Sequence, residues 1–474
     1  MSRILDQLDR ARMTALHRRL AWAAGLGIFL DGYDLTIIGA VLLLLKPQWR
    51  LTAYDTGWLG SAALAGAFAG ALLGGRVADR FGRKAIYVLD LLTFFLAAIL
   101  CAAAWNVVAL VIFRFFLGMG IGADYPLSAT YMAEFMPATN RGGVITWTFG
   151  LWSAGAIIAG LVGFVLVTYG GPESWRVMFV CGALPALIVI WLRRNLPESP
   201  RWYLRRGQTE NAVAVLRRLN PAVQEDEITR MLAERQKALA TPRRPTSILF
   251  SRRFLRATLL VCGPWFIMDF VGYYATVYTP QILGRLGFHG APNQMLGTVA
   301  ISASFLIGYI PLALSIDKIG RIWPQIIGFV VSGAGWVLVG ITALQAPLKP
   351  QYVHGVWQQV PQFGLLAFSL IFAGMLIAQI LNSFGPGITT YVLASEVYPT
   401  DVRATGHGFA TAFSRLGAVA STFLLPPLAA KIGIPALLIW LGAGSALGGV
   451  VTWLFRVETT NQPLPQDAAI DHGP

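Results

Sequence analysis

Twelve long apolar runs decide what this chain can fold into. They lie near 22–45, 57–75, 85–105, 107–133, 144–168, 176–195, 256–283, 295–315, 324–345, 363–393, 405–427 and 434–455. A helix of about 18 or more residues, rising about 1.5 Å per residue, reaches across a hydrocarbon core of roughly 30 Å. Inside lipid each backbone N–H and C=O must be paired within the protein, so every run is expected as a transmembrane helix. Only Ala104, Trp105 and Asn106 divide the third run from the fourth. Composition agrees: 55% of the 474 residues are apolar and 13% charged, against about a quarter charged in soluble domains.

A formal net charge of +14 would point to nucleic acid in a soluble protein, but here its placement follows topology. Basic residues concentrate at Arg3, Arg10, Arg12, Arg18 and Arg19, in the loop Arg80–Lys84, and between the sixth and seventh runs. Alternate loops carry only scattered ones, such as Lys46, Arg50, Arg285 and Lys349. By the positive-inside rule, both termini and the central segment are expected in the cytoplasm of a multi-pass inner-membrane protein, with no nucleic-acid partner. Cys101, Cys181 and Cys262 each fall alone in a different run, so neither a disulfide framework nor a metal site follows from them. The first run is too long for a cleavable signal and reads as a retained span.

The runs divide into an N-terminal bundle of six over residues 1–195 and a C-terminal bundle of six over 256–457. Between them lies a polar linker, 196–255, and a tail follows at 458–474. Short surface helices are expected in the linker at 209–219, which opens on the N-cap residue Thr209, and at 225–238. The bundles echo each other. Glu134-Phe-Met-Pro-Ala-Thr-Asn-Arg141 has the offsets of Glu396-Val-Tyr-Pro-Thr-Asp-Val-Arg403, and Asp79-Arg80-Phe-Gly-Arg83 those of Asp317-Lys-Ile-Gly-Arg321. Two coincident motif pairs in one order imply duplication. The expected fold is therefore all-α, twelve transmembrane helices in two pseudo-symmetric six-helix bundles. Gly66, Gly70 and Gly74, and Gly118-x-Gly120-x-Gly122, predict close helix contact.

With these residues in view, the chain resembles the major facilitator superfamily over about 15–457. Gly75-x-x-x-Asp79-Arg80-x-Gly82-Arg83-Lys84 is similar to that family's cytoplasmic signature, and Pro197-Glu-Ser-Pro-Arg-Trp-Tyr-Leu204 to its sugar-porter motif. The resemblance implies a substrate site near the midplane and alternating access by rocking of the halves. Asp79, Arg80, Arg83, Glu134, Arg141, Asp317, Arg321, Glu396 and Arg403 would then form a cytoplasmic gate of charge-assisted hydrogen bonds, broken on inward opening.

Ionisable residues inside spans are costly and need partners or a job. They are Asp31 and Asp34 in span one, Arg114, Asp124 and Glu134 in span four, Asp269 in span seven and Arg415 in span eleven. Asp90 sits near enough the surface to need no pocket. Sugar-porter-type proton symporters carry a span-one Gly-Tyr-Asp whose aspartate exchanges partners with a span-four arginine, which implies Asp34 and Arg114 here. Three stretches are similar to proton-coupled phosphate symporters: Gly122-Ala-Asp-Tyr-Pro-Leu-Ser-Ala-Thr130, Trp265-Phe-Ile-Met-Asp-Phe-Val-Gly-Tyr273, and Asn382-Ser-Phe-Gly-Pro-Gly-Ile-Thr-Thr-Tyr391 running on to Ala404-Thr-Gly-His-Gly. That likeness implies substrate contact by Tyr125, Trp265, Asp269 and Tyr273, and proton handling by Asp34 and Asp124, with Asp31 beside them. Asp124 and Tyr125 are expected to face the midplane cavity.

Departures bear on the substrate. Trp152 stands where the phosphate family has a glutamine, Gly387 where it has an asparagine, and Arg415 where it has a lysine. Trp152, Trp265, Tyr125 and Arg415 suit an organic anion as well as phosphate, and Asp31-Gly-Tyr-Asp34 also resembles aromatic-acid symporters. For a sugar site only the span-ten amides Gln379 and Asn382 are obvious. The expectation is a monomeric, proton-driven importer of a small anion, with a sugar or polyol porter as the alternative. With no zinc spacing, nucleophile motif or phosphate-binding loop, neither an enzyme nor a cofactor is expected.

Overall fold

A computed structural model describes residues 13–81, 83–135, 141–198, 203, 207–219, 246–353, 356–398 and 400–460. Twelve of its helices are long and apolar enough to cross a membrane. Spans one to six are Ala15–Gln48, Ala53–Phe81, Arg83–Ala102, Val107–Phe135, Arg141–Tyr169 and Ser174–Arg193. Spans seven to nine are Arg252–Arg285, Ala291–Ile319 and Ile322–Leu344; span ten is Leu365–Phe384 continued by Pro386–Glu396; spans eleven and twelve are Thr400–Ile432 and Ile434–Phe455. The division between spans three and four falls where the sequence places it. Span one starts on a capping box, in which the Thr14 hydroxyl accepts from His17 N–H and the His17 ring accepts from Thr14 N–H.

Glycine stripes bring spans two and four into backbone contact. A Cβ on Gly118 would stand 1.8 Å from the Ala63 carbonyl, and one on Gly66 would stand 1.9 Å from that of Phe115. The predicted close contact is therefore formed by Gly66, Gly70, Gly118 and Gly122, while Gly120 approaches Asp90 and Phe94 of span three; the Gly74 environment lies outside the described residues.

Span ten breaks at Gly385, whose backbone (φ −128°, ψ −100°) is non-helical and precedes Pro386, which has no N–H to give. Span seven bends at Tyr278, two residues before Pro280. The all-helical expectation needs one correction: Leu348–Val353 pairs antiparallel with Val356–Pro361 in the loop between spans nine and ten. Those loop ends lie at the water boundary, where an extended segment is stable once its backbone groups pair with each other. In the linker the helix at Thr209–Leu219 is present, whereas 225–238 lies outside the described residues.

Spans three, six, nine and twelve flank the bundle, three against six and nine against twelve. They present Leu89, Leu92, Leu96, Leu184, Leu187 and Ile188 to the exterior, an apolar belt that suits lipid. The two halves meet through spans one with seven, two with eleven and five with eight. Twelve crossings return the chain to the side it began on, and the interhalf seam lies toward the opposite face. There the Tyr278 hydroxyl donates to Thr56 O (3.1 Å) and Thr422 O (2.7 Å), and the Gln281 amide to Gly39 O (3.0 Å).

Candidate functional site

Among the described residues, three buried charge clusters lie inside the bundle. In the first, Arg114 is fully buried and grips Asp34 as a fork, Nη1 to Oδ1 at 3.2 Å and Nη2 to Oδ2 at 3.3 Å, while its Nε donates to Leu59 O at 3.0 Å. The sequence pairing of spans one and four is thus made, and span two supplies the third acceptor. A planar guanidinium is suited to this geometry, because its donors are preset to match a carboxylate.

The second cluster corrects two expectations and adds a residue that the sequence reading missed. Asp124 does not face the midplane cavity: its carboxylate takes two 2.9 Å contacts from Arg193, at the end of span six. Nor is Asp90 at the surface; it is 4% exposed, and its Oδ2 lies 3.5 Å from Arg193 Nη1. Arg193 also donates to the Ala23 and Tyr87 carbonyls and lies over the Tyr87 ring at 3.5 Å. Ser128 completes the network by donating to Asp124 at 3.0 Å. One guanidinium therefore ties spans one, three, four and six together. In sequence Arg193 adjoins Arg194 at the end of an apolar run, where it looks like a topology charge; its position inside the run was the available signal.

The third cluster spans both halves. Trp265, Asp269 and Tyr273 share a face of span seven, as their four-residue spacing requires. From span eleven, Arg415 donates to the Tyr273 hydroxyl and reaches Asp269 Oδ2 at 3.7 Å. That Oδ2 accepts no hydrogen bond among the described residues. Asp31, 3% exposed on span one, is close enough to act electrostatically on both Asp269 and Tyr273. Two carboxylates from opposite halves thus share the surroundings of one guanidinium.

Aromatic rings from the two halves meet at Trp152 and, next to Trp265 of this cluster, at Tyr391. Trp152 meets Phe305 of span eight edge-on at 5.2 Å, so the residue standing in for the glutamine joins the two halves. Tyr391 lies 6.0 Å from Trp265 and 4.7 Å from Phe149 of span five. In span ten Gln379 is buried and Asn382 half-buried, both ahead of the break. The sequence census of amides omits Gln325, which is fully buried in span nine; its hydrogen bonds to Thr389 and Thr452 make it a tie between spans.

At the terminal face, three of the residues expected in the C-terminal half of a gate meet, Asp317, Arg321 and Glu396. Arg321 contacts Asp317 at 2.8 Å and forks onto Glu396 at 3.0 and 3.1 Å. Glu458, the first tail residue, accepts from the N–H groups of Arg321 and Ile322 at 3.1–3.2 Å, capping span nine. The N-terminal half repeats the device with Glu198, which accepts from Lys84 N–H at 2.9 Å at the start of span three. The side chains of Tyr125, Asp79, Arg80, Arg83, Glu134, Arg141 and Arg403 lie outside the described residues.

The family described as sugar (and other) transporter matches residues 20–468. The niacin transporter NiaP of Acinetobacter baylyi is 28% identical over 427 residues, covering 89% of each chain. Inorganic phosphate transporter 1-11 of Oryza sativa subsp. japonica is 29% identical over 527 aligned positions, 99% of this chain and 90% of that one. In fold, the chain is similar to the major facilitator superfamily proton:xylose symporter XylE of E. coli bound to 6-bromo-6-deoxy-D-glucose: TM-score 0.75, 23% identity, 94% of this chain and 97% of the other. Twelve spans in this arrangement, with a family match over nearly the whole chain, make the protein a membrane transporter of small molecules and not an enzyme; it belongs to the sugar (and other) transporter family.

Proposed function

We propose that the protein is a proton-coupled symporter that imports a small organic anion, an aromatic carboxylate before phosphate, across an inner membrane with both termini in the cytoplasm, acting as a monomer. The observation that carries this reading is Arg415 at 3.7 Å from Asp269 of its own half, with Asp31 of the other half near enough to act electrostatically on the same aspartate. One guanidinium beside two carboxylates leaves this cluster net negative, which disfavours a second anion there. An entering carboxylate is held only when one aspartate takes a proton, so anion and proton enter together. Asp34 and Arg114 form a second station, where protonation of the aspartate from the outer face releases the arginine and biases the halves toward one opening.

An aromatic acid is favoured over phosphate by the walls. Trp152 and Gly387 replace two amide donors, and Trp152, Phe305, Trp265 and Tyr391 offer ring faces and edges. A relative named for niacin, an aromatic carboxylate, supports the same choice. Phosphate stands as the second reading because Trp265, Asp269 and Tyr273 keep the donor face of the phosphate-type signature and a phosphate transporter is among the relatives.

The test is uptake into proteoliposomes with an acid exterior, offering radiolabelled benzoate, nicotinate, phosphate and xylose. Accumulation of an aromatic acid, abolished by a protonophore, is expected. Accumulation of xylose alone overturns the anion reading. Asp34→Asn is expected to lose concentrative uptake while retaining exchange of internal for external substrate; unchanged accumulation would remove Asp34 from the coupling.

A further inference from the structure

His407 lies two turns before Arg415 on span eleven, within an aromatic box. Its ring meets Tyr391 edge-on at 4.7 Å and Trp265 at 5.8 Å, and Tyr391 in turn meets Phe149 from the other half. The imidazole Nε2 is buried and has no hydrogen-bond partner among the described residues. The state of its other nitrogen follows from Thr411. That hydroxyl spends its one hydrogen on His407 O at 2.9 Å, and its oxygen lies 3.3 Å from Nδ1. With its hydrogen on the nearer carbonyl the hydroxyl accepts from the ring, an arrangement that puts the hydrogen of a neutral imidazole on Nδ1 and leaves Nε2 with a bare lone pair. A buried acceptor with nothing to accept calls for an explanation, and a ligand that fills it during the cycle is one.

We infer that His407 is a specificity-determining residue of the transport site, whose Nε2 accepts a hydrogen bond from a hydroxyl or N–H carried on the substrate's aromatic ring. This rests on the reading of Arg415 as the holder of the substrate anion. The geometry gives the cluster two poles. Arg415, Asp269 and Tyr273 form the charged one, and His407, Trp265 and Tyr391 the ring-binding one, on the side of the chain termini. Eight residues separate the two on one helix, about 12 Å along its axis. Arg415 reaches Asp269, which stands one helical turn from Trp265 on span seven, and this shortens the gap to the scale of a substituted aromatic acid. Edge-on contacts around the box suit an inserted ring, since aromatic pairs favour this orientation over a face-to-face sandwich.

The test compares two anions differing by one ring donor, 4-hydroxybenzoate and benzoate, in proteoliposomes of the full-length protein. Wild type is expected to favour the hydroxylated acid by roughly 3- to 10-fold in KM, the range of one neutral hydrogen bond. His407→Phe, which keeps a ring but no acceptor, should abolish the preference; His407→Gln, whose amide oxygen still accepts, should retain most of it. Thr411→Val leaves the imidazole in place but frees its tautomer and should weaken the preference, a check that does not depend on replacing the histidine. Equal handling of the two acids by wild type, or a preference that survives His407→Phe, overturns the inference while leaving the anion reading intact. Uptake of phosphate with neither aromatic acid overturns both.

Discussion

Arg193, at the end of span six, ties spans one, three and four to its own. Its guanidinium neutralises part of the charge on Asp90 and Asp124 and satisfies two backbone carbonyls, all in a fully buried position. Removing one partner of a buried ion pair strands the others, at a cost of about 3–5 kcal/mol. Arg193→Met is therefore expected to lower the detergent-solubilised melting temperature by several degrees, and Asp90→Asn with Asp124→Asn in that background should recover part of the loss. Recovery would separate stranded charge from lost packing as the cause. The Asp34–Arg114 pair was legible because both ends belong to short, distinctive motifs. The Asp90–Arg193 contact was not, since both residues sit near span ends, where a charge usually faces the headgroups.

Among elements, the bend in span seven carries the clearest consequence. Tyr278 leaves helical geometry at φ −106°, ψ 15°, and its hydroxyl lies against carbonyls of spans two and eleven. This phenol, together with the Gln281–Gly39 hydrogen bond, bridges the seam between the halves on the face away from the termini. Tyr278→Phe keeps the ring and removes that donor, a loss of about 1 kcal/mol that tilts the two-state balance toward opening on that side. Faster thiol labelling of a cysteine placed in spans two or eleven near the seam is the expected readout; an unchanged rate would show that ring packing alone holds it. Pro280 made a bend foreseeable, but not the rotation that aims the hydroxyl across the seam. The break at Gly385–Pro386 was likewise written in residue types, whereas the approach of Pro324, whose carbonyl would stand 2.2 Å from a Cβ on Gly385, belongs to tertiary structure.

At the scale of the whole molecule, Glu458 links the end of the last span to the Arg321–Glu396 cluster of the C-terminal half. Partial burial works to raise its pKa, but hydrogen bonds from the Thr460 hydroxyl and from the N–H groups of Arg321, Ile322 and Thr460 hold it below its ordinary 4.5. A group whose folded pKa is depressed stabilises the fold above its unfolded pKa and loses that contribution as pH falls through the folded value. The difference in melting temperature between wild type and Glu458→Gln is accordingly expected to be largest near neutrality and to shrink once the pH drops below about 4.5. A difference independent of pH would assign the stabilisation to uncharged hydrogen bonding. The sequence by itself determined that the chain crosses a membrane twelve times in two related halves, because transfer of apolar runs into lipid is local, additive along the chain and strong enough to outweigh other terms. Tertiary structure alone decided which buried charges meet: Asp124 with Arg193 rather than the cavity, Asp31 across the seam near Asp269, and His407 with an acceptor left unmet. Those contacts depend on how each helix is rotated about its axis and where helices far apart in sequence come within a few ångströms, and apolar runs buried on most sides carry little information about either.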